Sequence, residues 1–191
     1  MKRKKQTLAI LLIALAFIAI GCEEKEPEKE AFKLNIGDTY EGGKIAYIFQ
    51  VGENRYVEGE THGLIAASND QCTDIEWGCY GVYVGGTSTA LGKGYENTIS
   101  IVQKCSENNA AYLCDTLCLN GFNDWFLPSL DELHLLYTNR EAIGGFSDTV
   151  YWSSSESSIN DHYAWILNFA HEKEDNEVKN TQCCVRAVRY F

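Results

Sequence analysis

The chain has 191 residues, with 16 Lys and Arg against 27 Asp and Glu, for a formal net charge of −11. That length holds one ordinary domain and an extension. The charge repels a phosphate backbone, and the sequence contains no basic stripe, so nucleic acid is excluded as a partner.

Lys2, Arg3, Lys4 and Lys5 precede an unbroken apolar run from Leu8 to Ile20, short for a membrane span and the right size for a signal-peptide core. The run ends Ala19-Ile20-Gly21-Cys22, similar to a bacterial lipobox, with Ala19 where leucine is usual. This predicts a lipoprotein signal peptide over 1–21 and lipidation of Cys22, by which the chain partners a lipid bilayer. An uncleaved anchor, or a cysteine that merely neighbours an ordinary cleavage site, is the alternative. Glu23 to Glu30 is almost wholly charged and cannot bury enough apolar surface to fold, so 22–35 reads as an acidic tether. Acidic residues directly after such a cysteine resemble signals for the outer face of an outer membrane. Cleavage before Cys22 removes four basic side chains and no acidic ones, leaving 12 against 27.

The single folded domain is expected over 36–191. Gly37-Asp38 and Gly42-Gly43 are turns, Lys44 to Val51 reads as a strand, and Arg55 to Glu58 is its expected hairpin return across Gly52-Glu53-Asn54. Gly63 to Ala67 is a further buried strand. From Ser68 to Lys93 the chain is glycine-rich and aperiodic, a long loop of the kind that is stapled or functional. Trp77 and Tyr80 are either pins that fasten this loop or exposed stacking surfaces. Asn97 is the expected cap of a helix burying Thr98, Ile101, Val102 and Cys105. Asn108-Asn109 separates it from a second helix burying Ala110, Cys114 and Leu117.

Next comes the most informative stretch. Trp125, Phe126 and Leu127 are too apolar for water and should plug the core. After Pro128, Ser129 and Glu132 have the spacing of a capping box, and Leu130, Leu133, Leu136 and Tyr137 follow at helical spacing. Val150 to Ser153 and Tyr163 to Ala170 read as strands, His171 to Asn180 as a charged connection, and Cys183 to Phe191 as the last strand. The fold class is therefore α+β, with terminal strands around a helical middle.

Seven cysteines remain after Cys22, and in an exported chain they are mainly disulfide material. Cys72 with Cys79 is the preferred local bridge. Cys105 with Cys114 would clamp the two helices, leaving Cys118 for Cys183 or Cys184. At least two bridges are expected, with an odd thiol left over. Neither a CxxC nor a His-Cys pair at zinc spacing occurs, and no cofactor is implied.

An ordered series, GFNDWFLPSLDELHLLY, Gly144-Gly145-Phe146, Tyr151-Trp152-Ser153-Ser154-Ser155-Glu156, Ala164-Trp165 and Val185-Arg186-Ala187-Val188-Arg189, resembles the bacterial domain family DUF1566. Upstream, Ile36-Gly37-Asp38, Gly42-Gly43-Lys44-Ile45, Gly63 to Ala67 and Trp77 to Gly81 fall in the family's order, so the likeness runs from about Ile36 to Phe191. That domain also occurs at the C-terminus of a Legionella collagen-like adhesin. The resemblance implies a small extracellular domain, C-type-lectin-like in broad shape, with no established reaction.

Three functions follow as expectations. The first is a binding or adhesion module for a glycan or protein, its contact surface drawn from Trp77, Tyr80 and Tyr83 in the long loop and Ser154, Glu156 and His162 farther on. The second is a structural surface protein with no small ligand. The third is an envelope hydrolase using the serine run, against which stands the lack of GxSxG or any other recognised nucleophile flank. Asp124 and Glu156 are hard oxygen donors and the candidates for calcium, without EF-hand spacing. No sequence pattern sets an oligomeric state.

Overall fold

The computed structural model describes residues 33–105 and 108–191. The expected leader, Cys22 and the tether up to residue 32 lie outside the described residues. In chain order come β1 (Thr39–Tyr40), β2 (Gly43–Ile48), β3 (Gly63–Ala66) and β4 (Cys72–Ile75). Four helices follow: α1 (Gly94–Lys104), α2 (Ala110–Asp115), α3 (Leu130–Thr138) and α4 (Arg140–Ile143). The chain ends in β5 (Val150–Glu156), β6 (Tyr163–Asn168), β7 (Lys173–Val178), β8 (Cys183–Val185) and β9 (Val188–Tyr190). The fold is α+β, with strands from both ends flanking the helical middle.

One sheet has the order β1-β2-β3-β9, and the other β4-β8-β5-β6-β7. The last strand thus pairs with β3, antiparallel, with Ile65 opposite Arg189. In the second sheet β5 and β8 are parallel, and the other pairs are antiparallel. Three expectations change here. Strand β2 stops at Ile48, and its partner is β3, not Arg55 to Glu58; Arg55 takes a left-handed backbone, φ 73°, that no strand accommodates. Strand β4 lies inside the segment read as one long loop. The charged segment 171–180 contains β7, an edge strand, where one side is open to water and charged side chains are tolerated.

The core has two parts. Trp77, Trp125, Trp152 and Ile101 belong to one cluster, and Phe126, Leu133, Leu136, Tyr151 and Phe169 to the other. Trp125, Phe126 and Leu127 are each no more than 1% exposed, as their composition requires. Phe126 exchanges backbone hydrogen bonds with Val188 at 2.8 and 3.0 Å, which ties this segment to the final strand. The capping box forms: Glu132 N–H donates to Ser129 Oγ, and Ser129 N–H to Glu132 Oε2 at 2.8 Å. Glu132 also accepts from Gly92 N–H at 3.0 Å and the Tyr190 hydroxyl at 2.6 Å. Its complete burial pushes its carboxyl pKa upward. The first residue of α1, Gly94, has no room for a side chain, since a Cβ there would stand 2.2 Å from Glu132 Oε2.

Asn97 is not the cap of α1. It lies buried inside the helix, donating to Ser88 O at 2.7 Å and accepting from Ser88 N–H at 2.9 Å. Asn109 caps α2 instead, accepting from Tyr112 N–H. Arg186, fully buried, donates to Asp70 at 2.8 Å and to the carbonyls of Ala67, Gly144 and Gly145. It holds the end of β8 against the segment that follows α4.

Candidate functional site

The loop 76–93 that precedes α1 passes over the C-terminal end of β5, and buried groups fasten it from beneath. Trp77 is fully buried, donating its indole N–H to Ser153 O at 2.8 Å. Lys179, just past β7, places its ammonium 2.6 Å from Glu156 Oε1, 3.0 Å from Val82 O and 4.6 Å from the centre of the Trp77 ring. Glu156 Oε1 accepts from Val84 N–H at 2.8 Å, and Oε2 from Gly85 N–H at 2.7 Å. The Lys179 and Glu156 side chains are 0% and 2% exposed. A buried charge is tolerated only when paired and hydrogen-bonded, and here every bond that satisfies the pair also fixes loop backbone.

Two further ties come from α1. Cys79 and Cys105 form a disulfide, and the Lys104 ammonium donates to Val84 O. At the far end of the loop, Ser155 Oγ donates to Ser88 O at 3.0 Å, and Asn97 bridges Ser88 to Ser154 Oγ.

Above this frame the loop turns three of its apolar side chains outward. Tyr80 is 52% exposed, Val82 47% and Tyr83 65%, and Ile159 on the neighbouring 157–162 loop is 64% exposed. The two loops touch where the Tyr80 ring meets the His162 ring edge-on, centroids 4.7 Å apart. His162 Nδ1 lies 2.6 Å from Asp161.

The sequence-predicted residues therefore meet in one region but in two layers. Tyr80, Tyr83 and His162 reach solvent. Trp77, Ser154 and Glu156 are buried beneath and cannot contact a ligand at the surface; burial of apolar area for the tryptophan, and internal bonding for the other two, accounts for the difference. Ser153 and Ser155 donate to backbone carbonyls, and Ser154 Oγ accepts from Asn97. His162 engages Tyr80 and Asp161 instead of a serine, so no nucleophile and base pair is assembled from this run. Lys179 and Val82 were missed by sequence reasoning. A lysine next to a charged hairpin carries no local sign of burial, since its partner lies 23 residues away.

The calcium donors are also committed elsewhere. Asp124 receives a bidentate pair from Arg189, at 2.7 and 2.8 Å, and Glu156 holds Lys179. The Arg189 pairing keeps the Asp124 carboxyl below its ordinary pKa. Among the described residues no group of three or more His, Cys, Asp and Glu side chains can hold a metal ion.

The disulfide expectations are corrected as well. Cys79 pairs with Cys105, replacing both the Cys72–Cys79 and the Cys105–Cys114 bridges. Cys72, Cys114, Cys118, Cys183 and Cys184 are free thiols, so the described residues contain one bridge where at least two were expected. Cys114 sits in the core, and burial pushes its thiol pKa well above the usual range; burial likewise raises Cys183 to about 12 and Cys184 to about 11. Cys118, Cys183 and Cys184 are all free thiols, so the third expected pair is not formed either.

The profile of one family, the Lcl C-terminal domain, matches residues 66–189, more than half of the chain. No curated protein matches it.

Proposed function

The chain belongs to the Lcl C-terminal domain family, and from that premise we propose that it is an adhesion-type binding module whose contact face is the loop pair 79–86 and 157–162. The observation that carries this reading is the exposure of Tyr80, Val82, Tyr83 and Ile159 on loops anchored from below. Apolar side chains left in water on a fixed backbone lose little conformational entropy when a partner covers them. Val82 and Ile159 are aliphatic, and aliphatic groups beside tyrosines match the apolar centre of a protein surface better than a sugar ring. The partner is accordingly an extracellular protein, neutral or basic, because the chain carries a net charge of −11.

The family is consistent with binding without turnover. No helix among the described residues is long and apolar enough to cross a membrane. In this reading the leader 1–21 is removed, Cys22 carries the lipid, 22–35 is the tether, and the domain stands in the cell envelope, at an outer membrane, with a lectin-like overall shape. Palmitate-analogue labelling of wild type but not of Cys22→Ala is the expected result for the anchor; equal labelling would remove it. For the function, an array of extracellular matrix proteins beside neutral and sulfated glycans should show saturable capture on proteins, with no product released. Preferential capture on heparin-like polymers would contradict the charge argument, and silence on every surface would favour a structural role.

A further inference from the structure

At the opposite end of α1 lies a second concave surface that shares no lining residue with the loop pair. Arg55, Tyr95, Glu96, Asp124, Phe126 and Tyr190 enclose a depression of about 390 Å³. On the other side of Arg55 and Tyr190, those same two residues with Phe49, Val57, His62 and Phe191 enclose another of about 370 Å³. Both volumes lie within the range of roughly 300–1,000 Å³ usual for small-ligand sites.

The wall between the two depressions is rigidly held. The Arg55 guanidinium lies 3.7 Å over the centre of the Tyr190 ring, its Nε donating to Gly92 O at 3.3 Å and its other arm to Glu96 at 3.2 Å. The Tyr190 hydroxyl donates to the buried Glu132 carboxylate. Arg55 keeps this position through a left-handed backbone, φ 73°, a conformation that a residue with a Cβ adopts only when its surroundings impose it.

The charge pattern selects the ligand. Every charged side chain lining the two depressions has an opposite partner at hand: Arg55 with Glu96, Asp124 with Arg189, and His62 with Glu60. An ionic ligand would meet groups whose charge is already balanced, which removes most of its electrostatic gain. A neutral polyol loses nothing by this, because paired carboxylate and guanidinium groups still offer lone pairs and N–H groups to hydroxyls. Tyr95 is 43% exposed and packs against Phe126 in a T-shaped pair, at an interplanar angle of 83°, so that contact leaves at least one face of its ring free. An aromatic face is apolar with a negative quadrupole, which suits the C–H face of a pyranose ring.

We propose that these depressions are adjacent subsites for a neutral saccharide, with one pyranose against Tyr95 and the next across the Arg55–Tyr190 wall. The test is titration calorimetry on the full chain in detergent, with maltotriose, cellotriose and mannotriose as probes and a heparin-derived oligosaccharide as the anionic control. At least one neutral trisaccharide should bind saturably. Tyr95→Ala should weaken it by about tenfold or more, and Tyr95→Phe should retain it. Arg55→Gln, with its melting curve recorded, should weaken it where the fold persists, and Tyr83→Ala should leave it unchanged. The proposal is overturned if no neutral probe saturates, if the heparin fragment binds more tightly, or if Tyr83→Ala weakens binding as much as Tyr95→Ala. Because Tyr83 belongs to the loop pair and Tyr95 to the groove, failure here leaves the protein-binding face standing, and failure of that face leaves the groove standing.

Discussion

At the scale of single residues, the Lys179–Glu156 pair fastens the middle of the loop. Its partners are the carbonyl of Val82 and the N–H groups of Val84 and Gly85, so losing either charge frees backbone as well as side chain. Lys179→Met strands a buried carboxylate and should lower stability by about 3–5 kcal/mol in urea unfolding. Adding Glu156→Gln should recover part of that loss, because the stranded charge disappears; a double variant as unstable as the sum of the two singles would mean the residues act independently. His62 sets a milder dependence on pH. Its ring lies 2.7 Å from Glu60 and 3.0 Å from Phe191 O, and the Glu60 bond, the largest influence, raises its pKa above the ordinary 6.5. A raised histidine pKa gives stability that is complete below pH 6.5 and is lost as pH rises through the folded value. The group is substantially exposed, so the effect is small. The urea midpoint should decline slightly from pH 6 to pH 8 in wild type, and His62→Gln should flatten that decline. The capping box was legible because Ser129 and Glu132 are three residues apart and their chemistry is local. Lys179, Arg55 and Tyr190 were not, because their partners come from distant segments and nothing in their neighbours marks them.

At the scale of elements, β7 shows how a charged segment forms a strand. Lys179 N–H donates inward to His162 O, which by alternation turns the N–H groups of Val178 and Asn176 to the open edge. There each donates to the preceding side chain, Val178 to Glu177 Oε1 and Asn176 to Asp175 Oδ1, both at 2.9 Å. The carboxylates thereby occupy donors that another chain would otherwise pair with. Asp175→Val with Glu177→Val should leave the domain folded yet cause concentration-dependent self-association in light scattering. A variant that scatters like wild type would show that the carboxylates do not guard the edge. The sequence reading missed this strand because charge density suggested a solvent loop, and side chains that cap their own backbone leave no hydrophobic alternation to detect. Helix α3 was readable for the opposite reason, since its buried face repeats at helical spacing, and β6 because it is apolar nearly throughout. The disulfide was misassigned because spacing favours near neighbours, whereas packing brings Cys79 to the end of α1, 26 residues on.

At the scale of the molecule, the helical middle and the two sheets serve to hold two irregular surfaces in place. One end of α1 anchors the exposed loop through Cys105 and Lys104, and the other borders the groove through Tyr95 and Glu96. The sequence marked the aromatic loop as a contact surface, but it could not separate the outward tyrosines from the inward tryptophan. All are aromatic, and what distinguishes Trp77 is packing with distant segments, in the core cluster, against Lys179 and on Ser153 O. The most direct test of the account is capture of the full chain on matrix proteins, comparing wild type with Tyr80→Ala/Tyr83→Ala and with Tyr95→Ala, all checked for unchanged melting. The account predicts that the loop variant loses about tenfold or more in affinity while Tyr95→Ala keeps wild-type capture. Unchanged capture by the folded loop variant would contradict it.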